Sequence, residues 1–283
     1  MEIKFKNVDY TVNKRAKYSK KIINNLNITI KENRITSIVG PSGAGKTTLA
    51  KLISLFIYPT NGEIKFDDII ITNQINKEAL KRLRSNIGLV YQNPEDQFFL
   101  NSVKEEIEFA IDNLNYKAKD KEKRIKDSLK LVGLNESYLN KNPHSLSKGE
   151  QRKLSLAIAL SFNPKILILD EPTLELDEGA KKNLIKLIRM MKLRYKKTII
   201  ILTKDTDFAH TLSDYIYIFN DGKVLLKGDK YEVFTKTKIL KQNNLNKPQI
   251  IEFVDLVENK KNVKIGYRDD INDLMKDVYR YVR

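Results

Sequence analysis

A glycine-rich stretch near the start of the chain contains the residue types that bind phosphate. Residues 40–47 read GPSGAGKT and match the pattern G-x-x-x-x-G-K-[ST]. A strand pattern precedes this loop and a helical pattern follows it, so its backbone N–H groups lie at a helix N-terminus, where anions bind. A glycine-rich turn without a ligand is the alternative. The spacing predicts that Lys46 contacts the β and γ phosphates of a nucleotide and that Thr47 binds Mg²⁺. The predicted contact residues are Gly40, Pro41, Ser42, Gly43, Ala44, Gly45, Lys46, Thr47 and Thr48.

Two neighbouring carboxylates follow a buried strand later in the chain. Residues 166–173 read ILILDEPT, and the strand places Asp170 and Glu171 at its carboxyl end. Ligands of open α/β sheets bind at that edge. Asp170 is therefore predicted to hold Mg²⁺, directly or through water, and Glu171 to polarise a water for attack on the γ phosphorus. The alternative for this pair is a helix N-cap, which the phosphate loop makes the weaker interpretation.

The composition excludes several kinds of site and partner. The 283-residue chain has no cysteine, which rules out disulfides and thiolate metal sites, and its two histidines do not favour a multi-histidine site. The net charge of +16 is compatible with nucleic acid or an anionic membrane, but the lysines are spread along the chain, so we predict no nucleic-acid partner. The apolar runs are too short to span a bilayer and the first residues lack a signal-peptide core. We therefore expect a cytoplasmic chain that is soluble when alone.

The hydrophobic pattern places these motifs in an α/β protein. Strands are predicted at residues 165–170 and 198–203 with a helix between them, which forms a βαβ unit. Residues from about 95 to 160 form a helical insert that contains the capping box of Ser102 and Glu105. After residue 229 the pattern changes again. A last helix has an apolar stripe that must pack on another surface, and this stripe consists of Ile271, Leu274, Met275 and Val278.

Five motifs in a fixed order resemble those of one family. GPSGAGKT, YQNPEDQFF, LSKGEQRK, ILILDEPT and LELD are similar to the motifs of the ATP-binding-cassette (ABC) ATPases, over about residues 1–228. The resemblance implies an α/β P-loop fold with a mostly parallel core sheet, an antiparallel β subdomain and a helical signature subdomain at about 95–160. Residues 229–283 are then a small C-terminal extension that joins subunits. The resemblance also implies a head-to-tail dimer with two ATP molecules, each between the phosphate loop of one subunit and the signature segment of the other.

The signature segment is defined here as residues 146–150, LSKGE. By its match to the family, Ser147 and Gly149 approach the γ-phosphate of the ATP on the other subunit, and Asp177 of LELD lies at the dimer seam. Independently of the family, Ser147 and Glu150 form a capping box, which predicts a helix whose positive end faces phosphate. The family's usual LSGGQ differs at two positions, because Lys148 and Glu150 stand in place of glycine and glutamine.

The segment YQNPEDQFF is similar to that of the ATPases of energy-coupling factor (ECF) and cobalt-type importers, and so is the C-terminal segment. Gln92 matches the glutamine that senses Mg²⁺ and the attacking water. The resemblance implies the ATP-hydrolysing subunit of an ECF-type importer for a vitamin or a metal ion, at the cytoplasmic face of the membrane. Its implied partners are membrane-embedded subunits and a second ABC ATPase, in a homodimer or, as we expect, a heterodimer. Another ABC transporter, a weakly hydrolysing partner subunit and a soluble ABC protein remain as alternatives.

Two positions depart from the family in ways that bear on the ATP site. The family stacks an aromatic residue on adenine, but the alignment places Val12 there, and we select Tyr18 nearby, with a surface tyrosine as the alternative. The strand after Glu171 ends in TKD (residues 203–205), where the family has Thr-His-Asp. Lys204 is therefore predicted to face the γ-phosphate, the alternative being that it turns to solvent. Its ammonium has three donors and no acceptor, so we expect it to pair with Glu171 and to slow hydrolysis.

Overall fold

The computed structural model describes residues 1–12, 19–72, 76–114, 120–262, 264–268 and 271–281. Within these residues, strands and helices alternate as an α/β protein requires. The strands are β1 (Ile3–Val12), β2 (Lys20–Ile30), β3 (Ile35–Val39), β4 (Asn61–Phe66), β5 (Ile69–Ile71), β6 (Ile87–Val90), β7 (Ile166–Asp170), β8 (Thr198–Thr203), β9 (Tyr215–Asn220) and β10 (Lys223–Gly228). The helices are α1 (Lys46–Ile53), α2 (Lys77–Arg84), α3 (Val103–Asn113), α4 (Lys121–Leu131), α5 (Lys148–Ser161), α6 (Glu178–Leu193), α7 (Thr206–Leu212), α8 (Lys230–Phe234), α9 (Thr237–Gln242), α10 (Gln249–Lys261) and α11 (Ile271–Tyr281).

The strands form two sheets. The smaller sheet has the order β2-β1-β4-β5, and each of its neighbouring pairs is antiparallel. The larger sheet has the order β10-β9-β3-β8-β7-β6, in which β9, β3, β8, β7 and β6 run parallel and β10 is an antiparallel edge. Both the mostly parallel core sheet and the separate antiparallel β subdomain that the sequence predicts are therefore confirmed.

The centre of the larger sheet is formed by β3, β7 and β8, in which every residue is buried. Parallel strands that are covered on both faces have continuous apolar runs instead of an alternating pattern. The sequence shows this in ILILD and TIIIL, and the observed bounds of β7 and β8 lie within one residue of the predicted ones. One core cluster joins Leu49 and Leu52 of α1 to Ile200 of β8 and to Phe66 of the smaller sheet.

The helical insert lies between β6 and β7 and contains α3, α4 and α5, as the pattern of residues 95–160 predicts. The capping box at the start of α3 is present, because the Glu105 N–H donates to the Ser102 hydroxyl at 3.2 Å and the Ser102 N–H donates to the Glu105 carboxylate at 3.0 Å. A second core cluster packs Ile107 of α3 and Leu129 of α4 with α5 and the larger sheet. This cluster attaches the insert to the strands that end in the predicted site.

Of the C-terminal residues, those of α8 pack on β9 of the larger sheet, and those of α11 pack on other C-terminal residues. Phe234 of α8 is fully buried in a cluster with Ile216 and Ile218 of β9. The stripe on α11 is partly covered within the chain, because Leu274 is 1% exposed and packs with Val254 and Ile265. The sequence alone does not indicate which residues of the chain pack on this stripe. None of the helices within the described residues combines the length and the apolar character that crossing a membrane requires.

Candidate functional site

The carboxyl ends of neighbouring parallel strands bring the predicted residues together. The phosphate loop directly follows β3, Glu171 directly follows β7 and Lys204 directly follows β8. Gln92 lies two positions after the end of β6. This edge is where open α/β sheets bind ligands. The structure has a cavity of about 330 Å³ at this edge, which we call the phosphate cavity. Its lining residues are Ile22, Ser42, Gly43, Gly45, Lys46, Thr47, Thr48, Gln92, Asp170, Glu171, Leu174 and Lys204.

The phosphate loop has the backbone shape that its glycines predict. Gly45, the N-cap of α1, has φ 101°, in the left-handed region that favours glycine. A Cβ atom on Gly40 would lie 2.0 Å from the carbonyl oxygen of Phe219, so no larger residue fits there without a shift. The Lys46 ammonium donates to the carbonyl oxygens of Gly40 at 2.8 Å and Pro41 at 2.9 Å. Of the predicted contact residues, Gly40, Pro41 and Ala44 are not among the residues that line the cavity.

Thr47 and Asp170 form a pair suited to a hard cation. The Thr47 hydroxyl donates to Oδ2 of Asp170 at 2.8 Å, and the carboxylate is 1% exposed. Burial raises the pKa of Asp170 above its usual value. Within the described residues Oδ1 of Asp170 has no hydrogen-bond partner, which is a costly condition for a buried carboxylate oxygen. One carboxylate and one hydroxyl beside a phosphate position are ligands that Mg²⁺ accepts, so these residues fit Mg²⁺.

Glu171 is held from both sides in a backbone conformation that is rare for a side-chain-bearing residue, with φ 45°. Its Oε1 pairs with the Lys46 ammonium at 3.0 Å. Its Oε2 accepts from the Thr203 hydroxyl and from the backbone N–H of Lys204, each at 3.1 Å. Residues in this region of backbone space are frequent at functional sites. Thr203 was not selected from the sequence, although it stands beside Lys204 at the same strand end.

Lys204 is among the residues that line the phosphate cavity, and it is exposed. Its contact with Glu171 is made by the backbone N–H, and the ammonium that pairs with Glu171 is that of Lys46. The expectation of a Lys204–Glu171 ion pair is therefore wrong for this structure. The reason is geometric, since Lys46 reaches the carboxylate from the phosphate loop and already occupies Oε1.

The signature residues lie at a second cavity, of about 570 Å³, away from the phosphate cavity. Ser147, Gly149 and Asp177 all line it, and Asp177 also caps α6 by accepting from the Ala180 N–H at 2.7 Å. The predicted capping box of Ser147 and Glu150 is present at the start of α5. A 2.6 Å hydrogen bond from the Tyr138 hydroxyl lowers the pKa of Glu150 to about 2. A single chain thus presents the phosphate loop and the signature segment on separate surfaces.

Of the two residues considered for the adenine position, only Val12 lies within the described residues. Tyr18, the predicted stacking residue, lies outside the described residues. Val12, which the alignment places at this position, is 38% exposed. Ile22 of β2 lines the phosphate cavity and was not selected from the sequence, because an isoleucine in a strand gives no signal of ligand contact.

An apolar groove of about 290 Å³ separates the core from the helical insert. Three of its phenylalanines are strongly exposed: Phe56 at 57%, Phe99 at 62% and Phe109 at 45%. The carboxylate of Glu106, 2% exposed, accepts from the backbone N–H groups of Phe99 at 2.6 Å and Leu100 at 2.7 Å. These two hydrogen bonds fix the turn in which Phe99 lies. Contiguous exposed apolar surface of this kind marks interaction sites.

Comparisons with known proteins agree with this geometry. A family model described as "ABC transporter" matches residues 23–174. The chain is 33% identical over 262 residues to the "Energy-coupling factor transporter ATP-binding protein EcfA" of Methanocaldococcus jannaschii, a match that covers 93% of this chain and 92% of the relative. It is similar to the dimeric ATP-binding cassette MJ0796 bound to ADP and Pi, with a TM-score of 0.73 and 31% identity over 81% of this chain and 98% of that chain. It is also similar to cbiO1 from Clostridium perfringens, described as part of the ABC transporter complex cbiONQ, with a TM-score of 0.71 and 30% identity over 89% of this chain and 98% of that one.

Proposed function

This chain belongs to the ABC transporter family as an ATP-binding subunit, and we propose that it hydrolyses ATP to drive an ECF-type importer. One observation carries the proposal. Lys46, Thr47, Asp170, Glu171 and Gln92, which come from three separate stretches of the chain, line one cavity at the carboxyl edge of the parallel sheet. A cation, a hydroxyl–carboxylate pair and a second carboxylate are the groups that phosphoryl transfer to water requires.

In this proposal the phosphate loop binds ATP through its backbone N–H groups and through Lys46. The Lys46 ammonium is 6% exposed and lies between two carbonyl oxygens and the Glu171 carboxylate, so it is already aimed at the cavity. An ammonium bonds charged oxygens more strongly than neutral carbonyls, and the phosphates of ATP carry more negative charge than the single carboxylate of Glu171. Lys46 therefore exchanges Glu171 for the phosphates when ATP binds.

Glu171 acts as the general base in this proposal. Once Lys46 contacts phosphate, the Thr203 hydroxyl and the Lys204 N–H still hold Oε2 of Glu171 and keep the carboxylate oriented. The carboxylate then accepts the proton of the attacking water. Thr47, Asp170 and Gln92 would hold Mg²⁺, which neutralises charge on the phosphates when bound.

The proposed working unit is a dimer with a second ABC ATPase. The separate positions of the phosphate cavity and the signature cavity support it, because Ser147 and Gly149 then complete the ATP site of the other subunit. Exposed apolar residues on α10 and α11, among them Leu256 at 52% and Tyr279 at 72%, support a role of the C-terminal extension in pairing. Similarity to an EcfA relative supports an ECF-type complex over a soluble ABC protein.

We further propose that the dimer binds membrane-embedded subunits from the cytoplasmic face. The groove of Phe56, Phe99 and Phe109 supports this, since an amphipathic helix of a membrane subunit can insert its apolar face there. The cargo is a vitamin or a metal ion, selected by a membrane subunit instead of by this chain. A heterodimer is the proposed form of the ATPase pair.

Two substitutions test the proposal by separating binding from turnover. Lys46→Ala should weaken ATP binding about tenfold or more, since a charge-assisted hydrogen bond contributes roughly 1.5–3 kcal/mol. Glu171→Gln should leave ATP affinity nearly unchanged and lower kcat by about 10²-fold or more. Fluorescent ATP titration and phosphate release measure the two effects. Lys51→Ala is the matched control, because Lys51 is an exposed lysine of the same helix. Unchanged ATP affinity in a folded Lys46→Ala chain would refute the assigned site.

A further inference from the structure

Arg152 connects three segments around the phosphate cavity without lining it. It lies on α5, five residues after Ser147, and is 5% exposed. Its Nη1 donates to the carbonyl oxygen of Glu171 at 3.1 Å, and its Nη2 donates to the carbonyl oxygen of Gln92 at 3.0 Å. The function proposed above does not use this residue. One guanidinium thus joins the signature helix to the residue after β7 and to the loop after β6.

Burial of a guanidinium is costly unless its donors are bonded, so a residue that only filled space would be apolar. Arg152 has a planar group with donors in a fixed fork, which suits two carbonyl oxygens held at a set separation. Burial lowers the pKa of Arg152 below its usual value, and the carboxylates of Glu175 and Glu95 act in the opposite direction. Both of these acceptors are backbone carbonyl oxygens of residues that line the phosphate cavity.

The backbone of Glu171 needs such support. A left-handed conformation for a glutamate costs on the order of 1–3 kcal/mol and persists only when the surroundings impose it. The Glu171 N–H donates to the carbonyl oxygen of Leu202 at 2.8 Å. The Glu171 carbonyl oxygen accepts from Arg152 at 3.1 Å and from the Leu174 N–H at 3.2 Å. The peptide groups on both sides of Glu171 are therefore fixed. The direction of the carboxylate follows from the orientation of these two peptides.

We infer that Arg152 is a positioning residue for ATP hydrolysis, which fixes the backbones of Glu171 and Gln92 so that both side chains point into the phosphate cavity. The inference rests on the proposed ATPase function. Arg152 acts on the site of its own chain, although its helix begins at the signature segment that serves the other subunit. The distance along the helix axis from Ser147 to Arg152 is only about 7.5 Å. Each signature helix is thereby tied to the catalytic carboxylate of the same chain.

The test replaces Arg152 by methionine and by lysine in the full-length chain. Turnover is assayed in dimers whose other ATPase chain has its phosphate-loop lysine replaced, so that only the site with this chain's phosphate loop hydrolyses ATP, next to an intact signature segment. Arg152→Met should lower kcat about 10- to 100-fold, because misplacement of a catalytic group by 1 Å can cost that much. ATP affinity should change less than about threefold, since the phosphate loop is untouched. Arg152→Lys should recover part of kcat through one of the two bonds.

Arg124→Met is the matched control. Arg124 of α4 donates to the carbonyl oxygens of Leu160 at 2.7 Å and Ser161 at 2.6 Å, at the other end of α5. Its loss should lower the thermal midpoint and leave kcat within about twofold. The inference is overturned by wild-type kcat in a folded Arg152→Met chain, by an equal loss of ATP affinity and kcat in that chain, or by an equal loss of kcat in Arg124→Met. A wild-type chain that hydrolyses no ATP would instead refute the proposed function, and the inference with it.

Discussion

At the scale of single residues, two lysines surround one carboxylate in different ways. The Lys46 ammonium holds Oε1 of Glu171, whereas Lys204 holds Oε2 only through its backbone N–H. The exposed Lys204 side chain lines the same cavity and can meet a phosphate without releasing Glu171. A substitution at this position keeps the backbone bond, because any residue except proline supplies the same N–H. The identity of the side chain can therefore be tested separately from the orientation of Glu171.

Lys204→His should speed ATP hydrolysis at the site of this chain. Histidine can donate to the γ-phosphate and accept through its other nitrogen, while lysine has donors only and cannot complete a relay to water and Glu171. One interaction regained in the transition state is worth about 1.4 kcal/mol per tenfold in rate, so an increase of about 10- to 100-fold is expected. Phosphate release, measured with the other ATP site of the dimer disabled, checks this.

Lys204→Met is the companion variant, since it removes the charge but keeps the length of the side chain. We expect it to weaken ATP binding, because it removes a cation from the cavity wall. If the Lys204→His chain is no faster than wild type, lysine can replace histidine at this position, and Lys204 does not slow hydrolysis.

Part of the site could be predicted from residue types alone, and part could not. The phosphate loop is one continuous motif, and its partner Asp170 follows a recognisable strand, so Lys46, Thr47 and Asp170 were found directly. Other contacts of Glu171 come from Arg152, 19 positions away in the chain, and from Thr203 and Lys204, 32 and 33 positions away. The contact with Arg152 uses a backbone carbonyl, which every residue has. No spacing rule in the sequence indicates such a contact.

At the scale of elements, the C-terminal helices divide into two groups. Val233 and Phe234 of α8 are at most 1% exposed and pack on β9, so α8 is part of the cassette core. Leu274 of α11 packs with other C-terminal residues, Val254 and Ile265 among them. An apolar stripe in a sequence predicts a buried face but not the surface that covers it. For this reason the helix α11 could be predicted from the sequence, but the residues of the chain that pack on its apolar stripe could not.

Two truncations should separate these groups. A chain that ends at residue 228 loses Val233 and Phe234, and full burial of such side chains is worth about 1.5–3 kcal/mol each, so its thermal midpoint should fall sharply. A chain that ends at residue 262 lacks α11 and the residues that join it to α10, among them Ile265. It should keep its ATP affinity and pair about tenfold or more weakly with the second ATPase. Differential scanning fluorimetry and sedimentation velocity measure the two effects. If the longer truncated chain pairs as well as the full chain, α11 does not lie at the subunit seam.

At the scale of the whole molecule, the apolar groove lies between the core and the helical insert. Phe56 and Tyr91 come from the core, whereas Phe109 comes from the helical insert. The rings of Phe99 and Phe109 meet edge to face at 4.8 Å, which leaves their remaining surface exposed. The loop that presents Phe99 begins just after Gln92 of the phosphate cavity. A partner bound in this groove would therefore contact a segment of the chain that begins a few residues after Gln92.

Phe99→Glu and Phe109→Glu should release the chain from its membrane subunits without changing ATP binding. A charge in an apolar groove must be desolvated when a helix docks, and this cost should weaken binding by at least about tenfold, or roughly 1.4 kcal/mol. Leu193→Glu is the matched control, because Leu193 is 64% exposed and does not line the groove. Co-purification of the chain with its membrane subunits in detergent measures the effect, and ATP titration of the isolated chain shows that the fold is intact. Co-purification of the Phe99→Glu chain at the wild-type level would place the membrane contact elsewhere, and the exposed rings would then need another partner.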